Sequence, residues 1–582
     1  MQTLPLIARS VRPVSRLWRD TPAPSWADAI AFLILAGVAI LVISGADGIA
    51  QPLARLQLSP VTLDPANLPV YALRTTLRMF AALFASLAFT FLVATLAAKS
   101  RRAGLVIVPA LDILQSVPIL GFLTFTVTLF MGLFPGRQIG VELAAIFAIF
   151  TSQAWNMAFS FYQSLRTIPS DLDEVSRGFG LSPARRFFRL ELPFATPALV
   201  WNTMMSMSGG WFFVVAAEAI SVGDTRIMLP GIGSWLALAI DREDFRAIGW
   251  AVAAMAVVIL LYDQFVFRPV VAWADRFRFE QTASADRPRS WVYDLFRRTR
   301  LLPSLVRPVI VAIGRLALIG GRKVARPRPA RTGGEARAPV LWILLVTAMA
   351  LGAAWLVWRY VSRNLEAGDI AMALGLGLVT LVRVMVLIAL ASLIWVPIGV
   401  WIGLRPAWAE RLQPVAQFLA AFPANVLFPF AVMAIVHWKL SPDIWLSPLM
   451  VLGTQWYILF NVIAGASAIP NDLREAAGMF GVKRWLWWRT VGLPGIFPYY
   501  VTGALTASGG SWNASIVAEV VSWGRQRLEA TGLGAYIADA TARGDYPRVM
   551  LGIAVMSLFV ISVNRLLWRP LYTFSERRLR LA

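Results

Sequence analysis

The sequence has no cysteine and a single histidine, His437, in 582 residues. Without cysteine there is no disulfide framework and no thiolate metal site. A lone histidine with no ligand cluster beside it reads as a structural or interfacial residue, not a metal site. Charge is scarce: 15% of residues are Asp, Glu, Lys or Arg, against 58% hydrophobic, and acids are outnumbered 54 to 32. A soluble domain of this size carries more charge than that. No Gly-rich loop ending in Lys-Ser/Thr occurs, so the chain has no ATP site of that type. HExxH and nucleophile-elbow patterns are also missing. There is thus no catalytic residue, metal site or resident cofactor to assign.

What is present is apolar sequence in long runs. Stretches of ~20 residues recur along the chain, each enough to cross a bilayer core of ~30 Å. Trp26 to Ser44 and Leu341 to Val361 are two of them. In lipid the backbone must satisfy its own polar groups, so such runs are expected to be helices. The formal net charge of +22 does not point to nucleic acid, because the basic residues stand where topology requires them. Arg9, Arg12, Arg16 and Arg19 precede the first run; Lys99, Arg101 and Arg102 follow the second; Arg166, Arg177, Arg185, Arg186 and Arg189 separate the fourth and fifth. Basic flanks of this kind mark cytoplasmic segments. Both termini are therefore expected on the cytoplasmic side. The first run has no small-residue cleavage site after it and reads as a retained helix.

Comparison of the sequence with itself shows a duplication. Displaced by 301 positions, Trp155 meets Trp456, Ile168-Pro169 meets Ile469-Pro470 and Glu174 meets Glu475. Phe179-Gly180 likewise meets Phe480-Gly481, Leu192-Pro193 meets Leu493-Pro494, Trp211 meets Trp512 and Glu218 meets Glu519. Farther upstream the displacement is 305, bringing Thr75 and Arg78 onto Thr380 and Arg383.

Each copy holds six apolar spans, near 28–46, 71–98, 104–132, 142–162, 193–221 and 247–267, and near 340–361, 367–403, 413–437, 447–467, 494–522 and 548–567. The expected fold is therefore an all-α membrane protein of about twelve transmembrane helices in two six-helix repeats. Six is even, so the repeats are parallel, related by an axis along the membrane normal. The expected division is a first repeat over 1–267, a basic cytoplasmic linker over 268–339 and a second repeat over 340–582. Within the linker, Leu301 to Gly320 is apolar but carries Arg307, Pro308 and Arg315. It is expected to lie on the membrane surface as an amphipathic helix.

Each copy has one hydrophilic loop between its fourth and fifth spans, at 168–192 and 469–493. The first runs Ile168-Pro-Ser-Asp-Leu-Asp-Glu-Val-Ser-Arg-Gly-Phe-Gly180, and the second Ile469-Pro-Asn-Asp-Leu-Arg-Glu-Ala-Ala-Gly-Met-Phe-Gly481. Proline ends the fourth helix, and Ser170 or Asn471 is expected to cap a short new one. Asp171 and Glu174, or Asp472 and Glu475, fall in its first turns, where the helix dipole favours acids. Gly180 or Gly481 stops it in a left-handed turn. A second basic-aromatic helix follows, and Pro193 or Pro494 is expected to begin the next span.

These loops resemble the signature of the permeases of bacterial binding-protein-dependent ABC importers. Glu475-Ala476-Ala477, Gly481 and Leu493-Pro494 fit it fully; the first copy departs at Val175-Ser176 but keeps Glu174, Gly180 and Leu192-Pro193. The resemblance implies the type I importer permease fold, a bacterial inner-membrane location and a non-catalytic role. It implies two ATPase subunits or domains as partners, with ATP and Mg bound there, and an external or periplasmic substrate-binding protein. The coupling residues it implies are Asp171, Glu174, Gly180, Asp472, Glu475, Ala476, Ala477 and Gly481. A narrower likeness covers Ser208-Gly-Gly-Trp-Phe-Phe-Val-Val-Ala-Ala-Glu218 with Gly231-Ile-Gly233, and Gly509-Gly-Ser-Trp-Asn-Ala-Ser-Ile-Val-Ala-Glu519 with Gly532-Leu-Gly534. It resembles the nitrate, sulfonate, taurine and bicarbonate branch, and implies a small inorganic or organic anion as cargo.

Fifth spans of two facing repeats would line a central path. Trp211 and Glu218, and Trp512 and Glu519, lie seven apart and share a helix face. A carboxylate in a low-dielectric path repels an anion, so Glu218 and Glu519 suit gating or anchoring better than binding. Neutral donors are the better candidates: Gln153, Asn156, Asn202, Ser206 and Ser208 in one half, Gln455, Ser508, Ser511, Trp512 and Asn513 in the other. Each of these also suits simple helix–helix bonding. Asp263 is expected to pair with Arg268 at a cytoplasmic edge. The competing reading is a gradient-driven secondary transporter with duplicated halves. That reading requires paired ionisable residues deep in the spans, for which Asp112 is the one candidate and has no counterpart.

Overall fold

Pro193, Pro494, Pro269 and Pro570 all sit inside continuous helix, and the backbone shows how each is accommodated. In the computed structural model a five-residue π-helical turn precedes each of them: Phe187–Glu191, Trp488–Gly492, Asp263–Phe267 and Asn564–Trp568. The residue before each proline donates its N–H five residues back, Leu192 to Phe187 and Leu493 to Trp488, Arg268 to Asp263 and Arg569 to Asn564. Proline lacks an N–H and its ring crowds the preceding turn; one widened turn removes the conflict. The expectation that Pro193 and Pro494 begin new helices is thereby corrected. The short helices Pro183–Arg186 and Arg484–Trp487 run unbroken through the π turn into Leu192–Glu218 and Leu493–Ala518.

The structure describes residues 26–46, 61–116, 119–222, 225–277, 290–299, 337–422 and 424–578. The segment Leu301 to Gly320, the basic N-terminal stretch and the side chain of Asp112 lie outside what is described. Among the described residues six helices are long and apolar enough to span a membrane: Trp26–Ser44, Pro65–Lys99, Gln138–Arg166, Phe245–Phe277, Ala367–Gly403 and Tyr546–Ser575. The pair Pro442–Leu452 and Gln455–Ser467, bent by 45°, makes a seventh if it is one span. Leu192–Glu218 and Leu493–Ala518 have 27 and 26 residues. Length is ample at ~1.5 Å per residue; the polar Asn, Ser, Thr and Gly content keeps them below that measure of apolarity. The fold is all-α apart from two short hairpins.

Elements recur at the displacement found in the sequence. Helices Ser170–Gly178 and Asn471–Met479 correspond, as do hairpins Ala219–Val222/Thr225–Met228 and Val520–Trp523/Gln526–Glu529, and helices Ile232–Asp241 and Leu533–Ala542. Both hairpins are antiparallel, with Ala219 opposite Met228 and Val520 opposite Glu529. One departure is the fourth span, one uninterrupted helix over Gln138–Arg166 and a bent pair in the second copy. There Pro442, Pro448 and Gly453 stand where the first copy has Val141, Phe147 and Ser152, and proline interrupts the ladder.

Contacts divide the chain into two units. One comprises Met1–Ser44, Thr167–Val200 and Tyr262–Ala330. It holds the first hydrophilic loop and a short amphipathic helix, Trp291–Arg298, whose N-terminus is capped by Ser290 Oγ accepting from Tyr293 N at 3.3 Å. Val292 and Leu295 are buried, and the Trp291 ring meets Phe265 edge-on. Asp263 pairs with Arg268 at 2.9 Å, the expected ion pair. The other unit comprises Gly45–Arg166, Trp201–Leu261 and Arg331–Ala582. In it residues of both repeats share a core: Met205 packs with Ile402, Leu459, Phe460 and Ile463, with Trp201 and Tyr457 against them.

Candidate functional site

The two hydrophilic loops fold alike. Pro169 and Pro470, extended at ψ 137° and 139°, hold the N-cap positions, and neither helix has a side-chain cap. The expected capping position is corrected: the N-cap falls on Pro169 and Pro470, one residue before Ser170 and Asn471, and the proline carbonyls accept the first intrahelical bonds, from Asp173 N and Arg474 N. Proline's fixed φ makes the turn itself, so the capping residue is displaced into the helix. Gly180 and Gly481 are left-handed, at φ 63° and 67°. Leu181 N reaches back to Ser176 O, and Val482 N to Ala477 O, closing both helices as expected of a glycine stop. Phe179 and Phe480 project at the tips, 79% and 85% exposed. Asp171, Glu174, Asp472 and Glu475 are exposed, while Ala476 is half-buried and Ala477 buried. Ser176, matching Ala477, is buried too, its Oγ donating to Asp173 O at 2.7 Å. The departure at Val175-Ser176 thus keeps a small, satisfied group at the buried position. Leu404, Arg474, Glu475 and Trp487 line a recess of about 430 Å³ beside the second loop.

At the other end of the fifth helices the structure builds two matched clasps. Glu218, the last residue of its helix, is fully buried. Its Oε1 accepts from Thr75 Oγ1 at 2.7 Å and Arg78 Nη1 at 2.7 Å, and its Oε2 from Gly233 N at 2.7 Å. Thr75 Oγ1 in turn accepts from Ile232 N. Glu519 accepts from Thr380, Arg383 and Ala535 N, and Thr380 accepts from Leu533 N, at distances of 2.7–3.1 Å. A Cβ on Gly231 or Gly532 would land on these carboxylates. The Gly-Ile-Gly and Gly-Leu-Gly motifs are therefore the floor on which each glutamate rests.

The clasps differ in a third member that sequence reasoning missed. Arg78 also donates from Nε and Nη2 to Glu142, at 2.5 and 2.8 Å, with Gln138 Nε2 on the same carboxylate. Its counterpart Asp443, also 301 positions on, stands 3.7 Å from Arg383 and is half exposed. The signal was an acid at both copies' matching position. Ionisable groups other than Asp112 also lie inside the protein: buried Arg78 pairs with buried Glu142 and Glu218, and half-buried Arg383 pairs with buried Glu519.

The proposed lining residues separate by burial. Trp211, Glu218, Trp512 and Glu519 are packed inside protein, with Trp512 stacked on Phe559. Gln153 is fully buried between Ser86 and Met207. Ser208 bonds to Met204 O, Ser511 to Thr454 and Asn513 to Gly509 O; Ser508 is buried. Asn156, Asn202 and Gln455 are half-buried. Asn156 donates to Asn202 and Ser206, Asn202 to Ser160, and Gln455 accepts from Trp395 Nε1. No group of side chains that could hold a metal occurs among the described residues.

The sequence matches the family described as "Binding-protein-dependent transport system inner membrane component" twice, over residues 64–271 and 395–581. The chain belongs to this family of membrane permeases. It is a duplicated permease, a multi-pass inner-membrane protein of ABC importer type. It is 28% identical over 187 residues to the nitrate import permease protein NrtB of Leptolyngbya laminosa, covering 32% of this chain and 63% of that one. It is 26% identical over 186 residues to the bicarbonate transport system permease protein CmpB of Synechococcus elongatus, covering 32% and 64%. To the glycine betaine/proline betaine permease protein ProW of Escherichia coli it is 34% identical over 137 residues, covering 23% and 36%. The alignments with NrtB and CmpB thus span less than two thirds of those relatives' length.

Proposed function

We propose that this permease forms both halves of the membrane pathway of an ATP-driven importer for a small anion, docks an ATPase at each of its two loops, and receives cargo from an external binding protein. The observation that carries this reading is the pair of loops, alike in proline entry, left-handed glycine stop, exposed aromatic tip and buried small residue, at matched positions of two repeats. A simple channel has no use for such a pair. Their acids lie at helix N-termini, and the recess at Arg474, Glu475 and Trp487 suits a partner side chain. ATP and Mg belong to the ATPase subunits; this chain supplies the levers. The basic flanks support a cytoplasmic position for both loops and both termini.

On this reading the path runs past the half-buried amides Asn156, Asn202 and Gln455. Trp211, Glu218, Trp512 and Glu519, with Gln153, Ser208, Ser508, Ser511 and Asn513, hold the helices that carry it. The amides are neutral polar groups on that path, and each clasp holds its carboxylates against an arginine, which offsets the repulsion a bare carboxylate would exert on an anion. The relatives named for nitrate and bicarbonate support an anion; the betaine permease makes the substrate a point to test.

Uptake of labelled nitrate, bicarbonate and taurine into cells expressing the chain with its genomic neighbours tests the reading. Anion uptake that survives a protonophore and stops on ATP depletion supports it. Uptake that stops with the protonophore while ATP remains points to a gradient-driven transporter instead.

A further inference from the structure

The first loop is tied to the span that follows it by a chain of three charges. Asp173, on the loop helix, meets Arg186 beyond the glycine turn at 2.5 Å, and Arg186 Nε stands 3.1 Å from Glu191, both as charge contacts without hydrogen-bond geometry. Glu191 is buried in the π turn directly before Leu192-Pro193. Asp173 also takes Arg177 at 2.8 Å. The links run from loop helix to the next helix to the base of the fifth span.

In the second copy all three positions change together. The residues 301 further on are Arg474, Trp487 and Gly492. Changing one alone would set Arg474 against an arginine or leave a buried glutamate without its cation, a strongly destabilising state. With all three changed, the Trp487 ring fills the space where a Cβ of residue 492 would stand, so only glycine fits there. Arg474 turns instead to the carbonyl of Leu404, at 3.3 Å.

We propose that Arg186 is the positioning residue of the first coupling loop, and that the two loops of this chain are braced by different forces, ionic in the first and packed in the second. The consequence for docking rests on the reading of these loops as ATPase contacts; the bracing itself does not. Asp173 and Arg186 are partly solvated, their side chains 23% and 27% exposed. Salt therefore weakens the first brace, whereas a tryptophan packed over glycine is indifferent to it. A single chain with two unlike levers presents its ATPases with inequivalent docking sites.

Hydrogen exchange of the purified full chain, at about 0.05 and 0.5 M salt, tests this without any ATPase. Amides of 170–181 should exchange about twofold faster at high salt, and those of 471–482 should not change. Arg186→Gln should give the fast rate at low salt, Arg186→Lys should restore much of the protection, and the triple swap Asp173→Arg, Arg186→Trp, Glu191→Gly should restore it without the salt response. If a variant fails to fold, the salt comparison on the unaltered chain still decides. Equal salt responses of the two loops, or an unchanged first loop in Arg186→Gln, would overturn the proposal. Failure to find an ATPase on the chain would overturn the functional reading and leave this result standing.

Discussion

Arg78 holds Glu218 at 2.7 Å and Glu142 at 2.5 Å, all within buried protein. The equivalent Arg383 holds Glu519 at 2.7 Å but stands 3.7 Å from a half-exposed Asp443. The tie from the second span to the end of the fifth helix is thus equally close in both copies, and only the first copy adds a close, buried acid from the fourth span.

Arg78→Met leaves two buried carboxylates without their cation. Removing one partner of a buried pair costs about 3–5 kcal/mol. Arg383→Met strands one such carboxylate, since Asp443 is solvated, and the loss is smaller. Thermal unfolding in mild detergent should show a larger drop in midpoint for Arg78→Met. Equal drops would mean that Glu142 contributes nothing.

Gly231→Ala and Gly532→Ala put a methyl group on the clasp carboxylates. Overpacking costs about 1–3 kcal/mol, and here it also displaces hydrogen bonds, so both variants should give reduced monodisperse yield by fluorescence-detected gel filtration. Gly509→Ala is the control: a Cβ there meets nothing within 4 Å, and yield should be unchanged.

Gly180→Ala and Gly481→Ala strain a left-handed residue by about 1–3 kcal/mol. They leave the spans alone, so yield should hold while ATP-dependent uptake falls. Ser176→Ala should be silent, because Ala fills the same position in the other copy. Ser176→Leu should behave like the glycine variants, since that side chain faces buried space. Loss of uptake in Ser176→Ala would show that the hydroxyl itself is needed.

The duplication, the all-helical membrane class and both loops with their left-handed glycines were legible because Pro, Gly and Trp fix local geometry wherever they fall. Thr75, Arg78 and Glu218 were visible as matched pairs, but nothing in one dimension joins residue 78 to residues 142 and 218. Only the packing of helices shows that they form one clasp and that Gly231 and Gly233 serve it. The caps were misread because proline can make a helix entry without a side-chain acceptor. The start of the fifth helix was misread because a π turn lets a helix pass through proline. Polarity alone also grouped Gln153 with Asn156, although one is sealed inside protein and the other half-open.

Purification of the tagged chain from its native membranes in mild detergent, with mass analysis of the intact complex, tests the central claim most directly. The account predicts two ATPase subunits per chain, lost when Gly481→Pro breaks the second loop's turn. Recovery of the folded chain alone, with no ATPase bound and no ATP-dependent uptake on adding candidate ATPases, would contradict it.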